Sequence, residues 1–192
     1  GPNGTSSASG LSDSGIVVGA IRLGEWAHAV IWKQNDQGAY EMIDLHDRPN
    51  WPSDGASASS ISEIRVMGQI EGHQIVGNAL DAEGNSQVFR FDLERNLFTW
   101  PDSDCYVLNG GKRINDSGDI VCFVRGQEVS RIYDKDNVLV AEVDGYARAI
   151  SDLWQVFGRQ EVGRLKGQAF RDDLTTNPIS RHSRELFSFG DI

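Results

Sequence analysis

Ile114-Asn115-Asp116-Ser117-Gly118-Asp119-Ile120-Val121-Cys122 is a polar turn that runs straight into a compact apolar stretch, and the figure occurs four times in the chain. Leu11-Ser12-Asp13-Ser14-Gly15-Ile16-Val17-Val18-Gly19 is the first copy. The second, Ile70-Glu71-Gly72-His73-Gln74-Ile75-Val76-Gly77, is one residue shorter. The fourth, Ile150-Ser151-Asp152-Leu153-Trp154-Gln155-Val156-Phe157-Gly158, has lost the turn glycine. The closing positions 19, 77, 122 and 158 stand 58, 45 and 36 residues apart. A loose period of that size marks supersecondary units that are stacked or radially arranged. In the Asp-Ser-Gly turn, Asp is expected to bond the backbone ahead while Gly takes a positive φ without penalty. The closing glycine suits a close backbone approach or a bulge.

A second landmark follows each copy after 9, 10, 7 and 10 residues: His28-Ala29-Val30-Ile31-Trp32, Gln87-Val88-Phe89-Arg90-Phe91, Val129-Ser130-Arg131-Ile132-Tyr133 and Gln168-Ala169-Phe170-Arg171-Asp172. That distance predicts two strands joined by a short polar hairpin such as Asp81-Ala82-Glu83-Gly84-Asn85. Third apolar runs come next at Tyr40–Leu45, Asn96–Trp100, Asn137–Val143 and Glu185–Phe189. Small-residue strands, Ala56–Ser62 and Gly145–Ser151, lead into the following copies. Val, Ile and aromatic runs punctuated by Gly, Asn and Asp are an all-β signature. One such unit cannot bury both faces of its sheet, so its neighbours must supply the rest of each core layer.

The order Ile-Asn-Asp-Ser-Gly-x-Val-Val-Gly followed by His-Ala-Phe-x-Trp resembles the HAF-type bacterial repeats, often found in predicted extracellular proteins. Leu11–Gly19 with His28–Trp32 carries the resemblance, as does Ile114–Val121; copies two and four match it less closely. It covers most of residues 11–171 and implies a propeller-like or related repeat β-fold, with no catalytic residues to transfer. The signature His survives only at His28, which marks a structural position. The expected architecture is therefore all-β, a propeller-like or open-arc repeat of about four β-meander units within a single domain, residues 11–192. Four units are few for a closed propeller, and an open arc would leave edge strands to be paired, covered or charged, for example in a homodimer.

A chain of 192 residues is long enough for a sizeable core. Residues 1–10 lack an apolar pattern, and Gly1-Pro2 reads as a protease-cleavage scar, so that stretch is set apart as a disordered linker. No run approaches the length of a transmembrane helix. Cys105 and Cys122, the two cysteines, exclude a disulfide scaffold and read as buried free thiols, a single bridge being the other reading. The compartment stays open between the cytoplasm, the default expectation, and secretion after loss of a signal peptide. The net charge of −10 is uneven: residues 159–184 carry +3 and the remainder −13. Such an acidic chain is a poor match for phosphate backbones, and its charge speaks first to solubility, or to attraction for a basic partner.

The local motifs of catalysis are missing: no Cys-x-x-Cys, His-Glu-x-x-His, phosphate-cradling glycine loop or Gly-x-Ser-x-Gly elbow. His28, His46, His73 and His182 share no metal spacing. His46-Asp47-Arg48 reads first as a loop. Asp81-x-Glu83-Gly84-Asn85 and Asp134–Asn137 lack the ligands of a calcium loop and need no metal as hairpin turns. No cofactor or metal is expected.

The tryptophans and a few cations are the candidate contacts. Trp32 falls in the second landmark and reads as core. Trp51 and Trp100 precede prolines at unit ends, and Trp154 replaces a turn glycine. Large aromatics on loops bury much area at little entropic cost, as recognition residues or as latches. The expected function is a non-catalytic module that binds a peptide or protein segment, at a sheet edge or in a groove lined by Trp51, Trp100, Tyr106, Lys112, Tyr146, Arg148 and Trp154. An accessory protein presenting a peptide to separate enzymes is one form of it. The alternatives are an enzyme whose acid and base groups converge from several repeats, with Lys112 and Arg148 holding an anion, and a carbohydrate binder.

Overall fold

The computed structural model describes residues 5–12, 14–23, 26–47, 70–71, 74–80, 85–107, 113–162, 165–173 and 185–187. Among the described residues sixteen strands form four antiparallel sheets of four strands each. The first sheet holds β1 (Ser6–Leu11), β2 (Val17–Leu23), β3 (Trp26–Gln34) and β4 (Tyr40–Asp44). The second holds β5 (Ile70–Glu71), β6 (Gln74–Leu80), β7 (Ser86–Asp92) and β8 (Leu97–Asp102). The third holds β9 (Cys105–Tyr106), β10 (Ile120–Val124), β11 (Val129–Tyr133) and β12 (Leu139–Asp144). The fourth holds β13 (Tyr146–Ile150), β14 (Gln155–Val162), β15 (Leu165–Asp173) and β16 (Glu185–Phe187). Within each sheet, sequence neighbours are spatial neighbours, so every sheet is a meander. Among the described residues no helix is long and apolar enough to cross a membrane.

The two sequence landmarks are the two central strands of every sheet. The closing positions Gly19, Gly77, Cys122 and Gly158 lie opposite Val30, Phe89, Arg131 and Phe170. Each of those four is the third residue of its second landmark. The short copy two closes on a two-residue connection, Ile70 facing Ile75 and Glu71 facing Gln74. The other copies share one turn. Ser12, Asn115 and Ser151 N–H groups donate to the carbonyls of Ile16, Asp119 and Gln155, and the Gly15, Gly118 and Trp154 N–H groups donate back. The side chain that bonds the backbone ahead belongs to the residue before the expected Asp. Ser12 Oγ, Asn115 Oδ1 and Ser151 Oγ accept from the Ile16, Asp119 and Gln155 N–H groups at 3.1, 2.8 and 3.1 Å. Positive φ follows at Gly15 and Gly118, and Trp154 adopts it too at φ 57°.

Two expectations need correction. Residues 6–10 are not a linker: Ser6–Leu11 is β1, paired with β2 from Ser6–Ile21 to Leu11–Val17. It is almost wholly exposed, so it carries no apolar pattern, and main-chain pairing alone places it. A Cβ on Gly19 would overlap the Ser7 carbonyl oxygen and come within 3.0 Å of the half-buried Trp32 ring. Nor are the cysteines free: Cys105 and Cys122 form a disulfide between β9 and β10, with Cα atoms 5.6 Å apart.

The chain divides into two compact units, Gly1–Ser103 and Asp104–Ile192. Each unit buries a core between its two sheets. In the first, Val18, Ala29, Ile31 and Leu45 meet Ile75, Ala79, Phe89 and Phe91. In the second, Val121, Ile132, Ala141 and Val143 meet Ala147, Ile150 and Val156. Every residue of β10 is buried, whereas β12 alternates towards its exposed side, as a central and an outer strand should.

Candidate functional site

The second unit's core ends in a row of aromatic rings. Tyr106 on β9 lies opposite Phe123 on β10, their rings edge to face at 5.6 Å. Phe123 stacks on Tyr146 of β13, with centroids 4.4 Å apart and planes at 19°. Tyr146 lies opposite Arg159 on β14, whose guanidinium carbon sits 5.2 Å above the tyrosine ring, within the range of a cation–π contact. Phe123 is buried while both tyrosines stay half-exposed, so the row is anchored in the core and open along its rim.

Hydrogen bonds and charge hold this end of the unit together. Ser130 Oγ donates to the Gly145 carbonyl at 2.7 Å and accepts from the Ala147 N–H at 2.9 Å, fixing the start of β13. Arg113, 1% exposed, donates from Nη1 to the Ala147 carbonyl at 2.8 Å. Burial first, and then Arg148, lower its pKa to about 10, so the guanidinium is charged at neutral pH. Burial, and then Tyr146, raise the Tyr106 phenol above its ordinary 10, while Arg125 pulls it back. Tyr106 therefore presents a neutral O–H across the physiological range. The arrangement offers stacking surface, a phenol donor and nearby guanidinium groups.

Of the expected site residues, the structure brings Tyr106 and Tyr146 together through Phe123. Arg148 sits exposed two residues beyond Tyr146, in electrostatic reach of Arg113. Trp100 belongs to the other unit. It is 39% exposed and packs edge to face on Phe98 at 4.8 Å, and Phe98 stacks on buried Phe89 at 5.2 Å. That ladder ties β8 to β7 in the manner of a latch. Trp154 is half-buried against the second core. Trp51 and Lys112 lie outside the described residues, as do His73, His182 and the Asp81–Gly84 turn. Asp134 Oδ1 accepts from the Asp136 and Val138 N–H groups, so that hairpin closes without a metal. Among the described residues no group of three His, Cys, Asp or Glu side chains is placed to hold an ion.

Sequence reasoning missed Phe123 and Arg159, although a signal for them existed. Both stand directly after a closing position, Cys122 and Gly158. The side chain there points to the opposite face of the strand from the closing residue, and each lies opposite a tyrosine of the preceding strand.

No family model matches the chain, and neither does any curated protein. Solved structures do. TolB from Acinetobacter baumannii aligns over 95% of this chain and 43% of its own length, at a TM-score of 0.56 and 11% identity. Prolyl oligopeptidase B from Galerina marginata, an H698A mutant bound to a 35mer hydrolysis and macrocyclization substrate, aligns over 96% of this chain and 27% of its own, at a TM-score of 0.58 and 11% identity. The chain thus spans less than half the length of either. These likenesses and the four meander sheets define a propeller-like β fold.

Proposed function

We propose that the chain is a non-catalytic binding module that takes a peptide or protein segment along the row Tyr106–Phe123–Tyr146–Arg159. The single observation that carries this reading is the row itself: two half-exposed tyrosines on a buried phenylalanine, closed by a guanidinium over one ring. Tyrosine and arginine are enriched at the hot spots of protein contacts, tyrosine because it buries a large area with few rotors to freeze and arginine because its planar guanidinium makes several directed hydrogen bonds. The resemblance to HAF-type repeats supports a scaffold role. The peptide substrate bound to the Galerina oligopeptidase is consistent with a peptide as the ligand class. Presentation of a bound peptide to a separate enzyme is the form this activity takes in our reading.

The test is selection of a displayed random-peptide library on the purified protein. The peptides enriched on the wild type are expected to bind Trp100→Ala equally and to lose at least tenfold in affinity on Tyr146→Ala, whose fold is checked by circular dichroism. Peptides that keep full affinity for Tyr146→Ala would refute the assignment.

A further inference from the structure

The first and third sheets begin with the same architecture and diverge at their first strand. In the first sheet, Leu11 faces Val17 and Ser7 faces Ala20. At the matching places of the third sheet, Ile114 faces Ile120 and Tyr106 faces Phe123. Three steps separate the partners in both cases, yet four steps lead from Ser7 to Leu11 and eight from Tyr106 to Ile114. The third sheet therefore carries four additional residues between equivalent register positions. Among the described residues β9 pairs with β10 over two residues, Tyr106 opposite Phe123 and Cys105 opposite Val124. The Arg125 N–H donates to the Asp104 carbonyl at 2.8 Å on one side of them, and β10 meets the chain again where the Val121 N–H donates to the Arg113 carbonyl at 3.0 Å. A two-residue strand is a weak anchor for a ring that must lie against Phe123. The disulfide falls at this place: Cys105 immediately precedes Tyr106, Cys122 immediately precedes Phe123, and both sulfur-bearing residues are buried.

We propose that the Cys105–Cys122 disulfide is the positioning device of the aromatic row, fixing Tyr106 on Phe123 so that only the bridged protein presents the row to a ligand. The part concerning the ligand rests on the reading of the row given above; the part concerning Tyr106 does not. Cys122 occupies the closing position that is glycine in the other three repeats. The bridge thus stands in the repeat that carries four more residues than the first between equivalent register positions. The groups acting on the Tyr106 phenol are Tyr146 and Arg125, from β13 and from the turn after β10. A displaced Tyr106 leaves both the burial and the Tyr146 neighbour that raise its pKa.

Three measurements test this. Thiol titration of the unfolded protein without reductant should find no free thiol, and two thiols would overturn the proposal. Spectrophotometric titration should show a high-titrating phenol that is absent in Tyr106→Phe. That phenol should return to the ordinary tyrosine range in Cys105→Ala/Cys122→Ala and in Cys105→Ala/Cys122→Val, with β-sheet circular dichroism retained. A phenol that stays high in both double variants would overturn the positioning role. So would loss of the β signal in both, since the bridge would then serve the whole unit rather than Tyr106. The peptides selected above should bind both double variants at least tenfold more weakly. Unchanged binding alongside a shifted phenol would leave the positioning of Tyr106 intact and overturn its link to the ligand.

Discussion

The first and third repeats open on nine-residue copies of one pattern, identical at four positions, and solve one problem in opposite ways. Both make the same turn, through Ser12 or Asn115, and both send a central strand out of it. In the first repeat the closing residue is Gly19, and the absent side chain lets the Ser7 backbone cross so closely that a methyl group would overlap it. A six-residue strand then pairs along its length. In the third repeat the closing residue is Cys122, β9 pairs with β10 over two described residues, and a covalent bond joins the same two strands. A repeat can thus hold its first strand through backbone contact at a glycine or through a crosslink. The second leaves room for added residues and places a ring at the rim.

Substitutions at the two closing positions separate these solutions, and the bridge should show the larger effect. Removing a crosslink between residues 17 apart in sequence releases unfolded-chain entropy, so Cys105→Ala/Cys122→Ala is expected to lose about 3 kcal/mol in urea denaturation. A loss below about 1 kcal/mol would mean that the ladder and core hold β9 without it. Gly19→Ala should cost about 2 kcal/mol, through overpacking against the Ser7 carbonyl rather than through strain in φ. Neutral behaviour there would show that β1 can move away freely.

Equal or smaller effects belong to the shared turn. Asn115 accepts from the Asp119 N–H and donates to Asp119 Oδ2 at 2.9 Å and to the Ser151 carbonyl at 3.4 Å. Asn115→Ala should therefore cost about 2 kcal/mol, since buried Asp119 loses a partner. Ser12→Ala, with a half-buried hydroxyl bond to the Ile16 N–H, should cost about 1 kcal/mol. Equal costs would break the comparison. The asymmetry has a structural source: the third and fourth turns bond to each other at equivalent places. Asn115 reaches Ser151, and the Asp116 N–H donates to Asp152 Oδ1 at 2.8 Å, both spanning 36 residues, the distance between closing positions 122 and 158.

The central strands were legible in the sequence as paired elements, because apolar runs that must face a core mark them. The third residue of each second landmark lies opposite each closing position. β1 was not legible, since an exposed strand placed by main-chain pairing leaves no apolar trace in Ser6–Gly10. The disulfide was hidden by the four additional residues, which break the correspondence between the first and third repeats that would have set Cys105 beside Cys122. Tyr106 and Tyr146 were singled out from the sequence, but not the contact that unites them. Phe123 reads as one more apolar residue of a buried strand until its stacking on the next sheet is seen. Trp100, chosen on the same grounds as the tyrosines, packs on Phe98 as a latch.

The most direct test of the proposed binding row is a map of amide shift changes in the isotope-labelled protein as a selected peptide is added. Changes concentrated at Cys105–Tyr106, Phe123–Arg125, Tyr146–Arg148 and Arg159 are the predicted result. Changes confined to the outer strands β4, β8 and β12, with those residues silent, would contradict it and move recognition to a sheet edge.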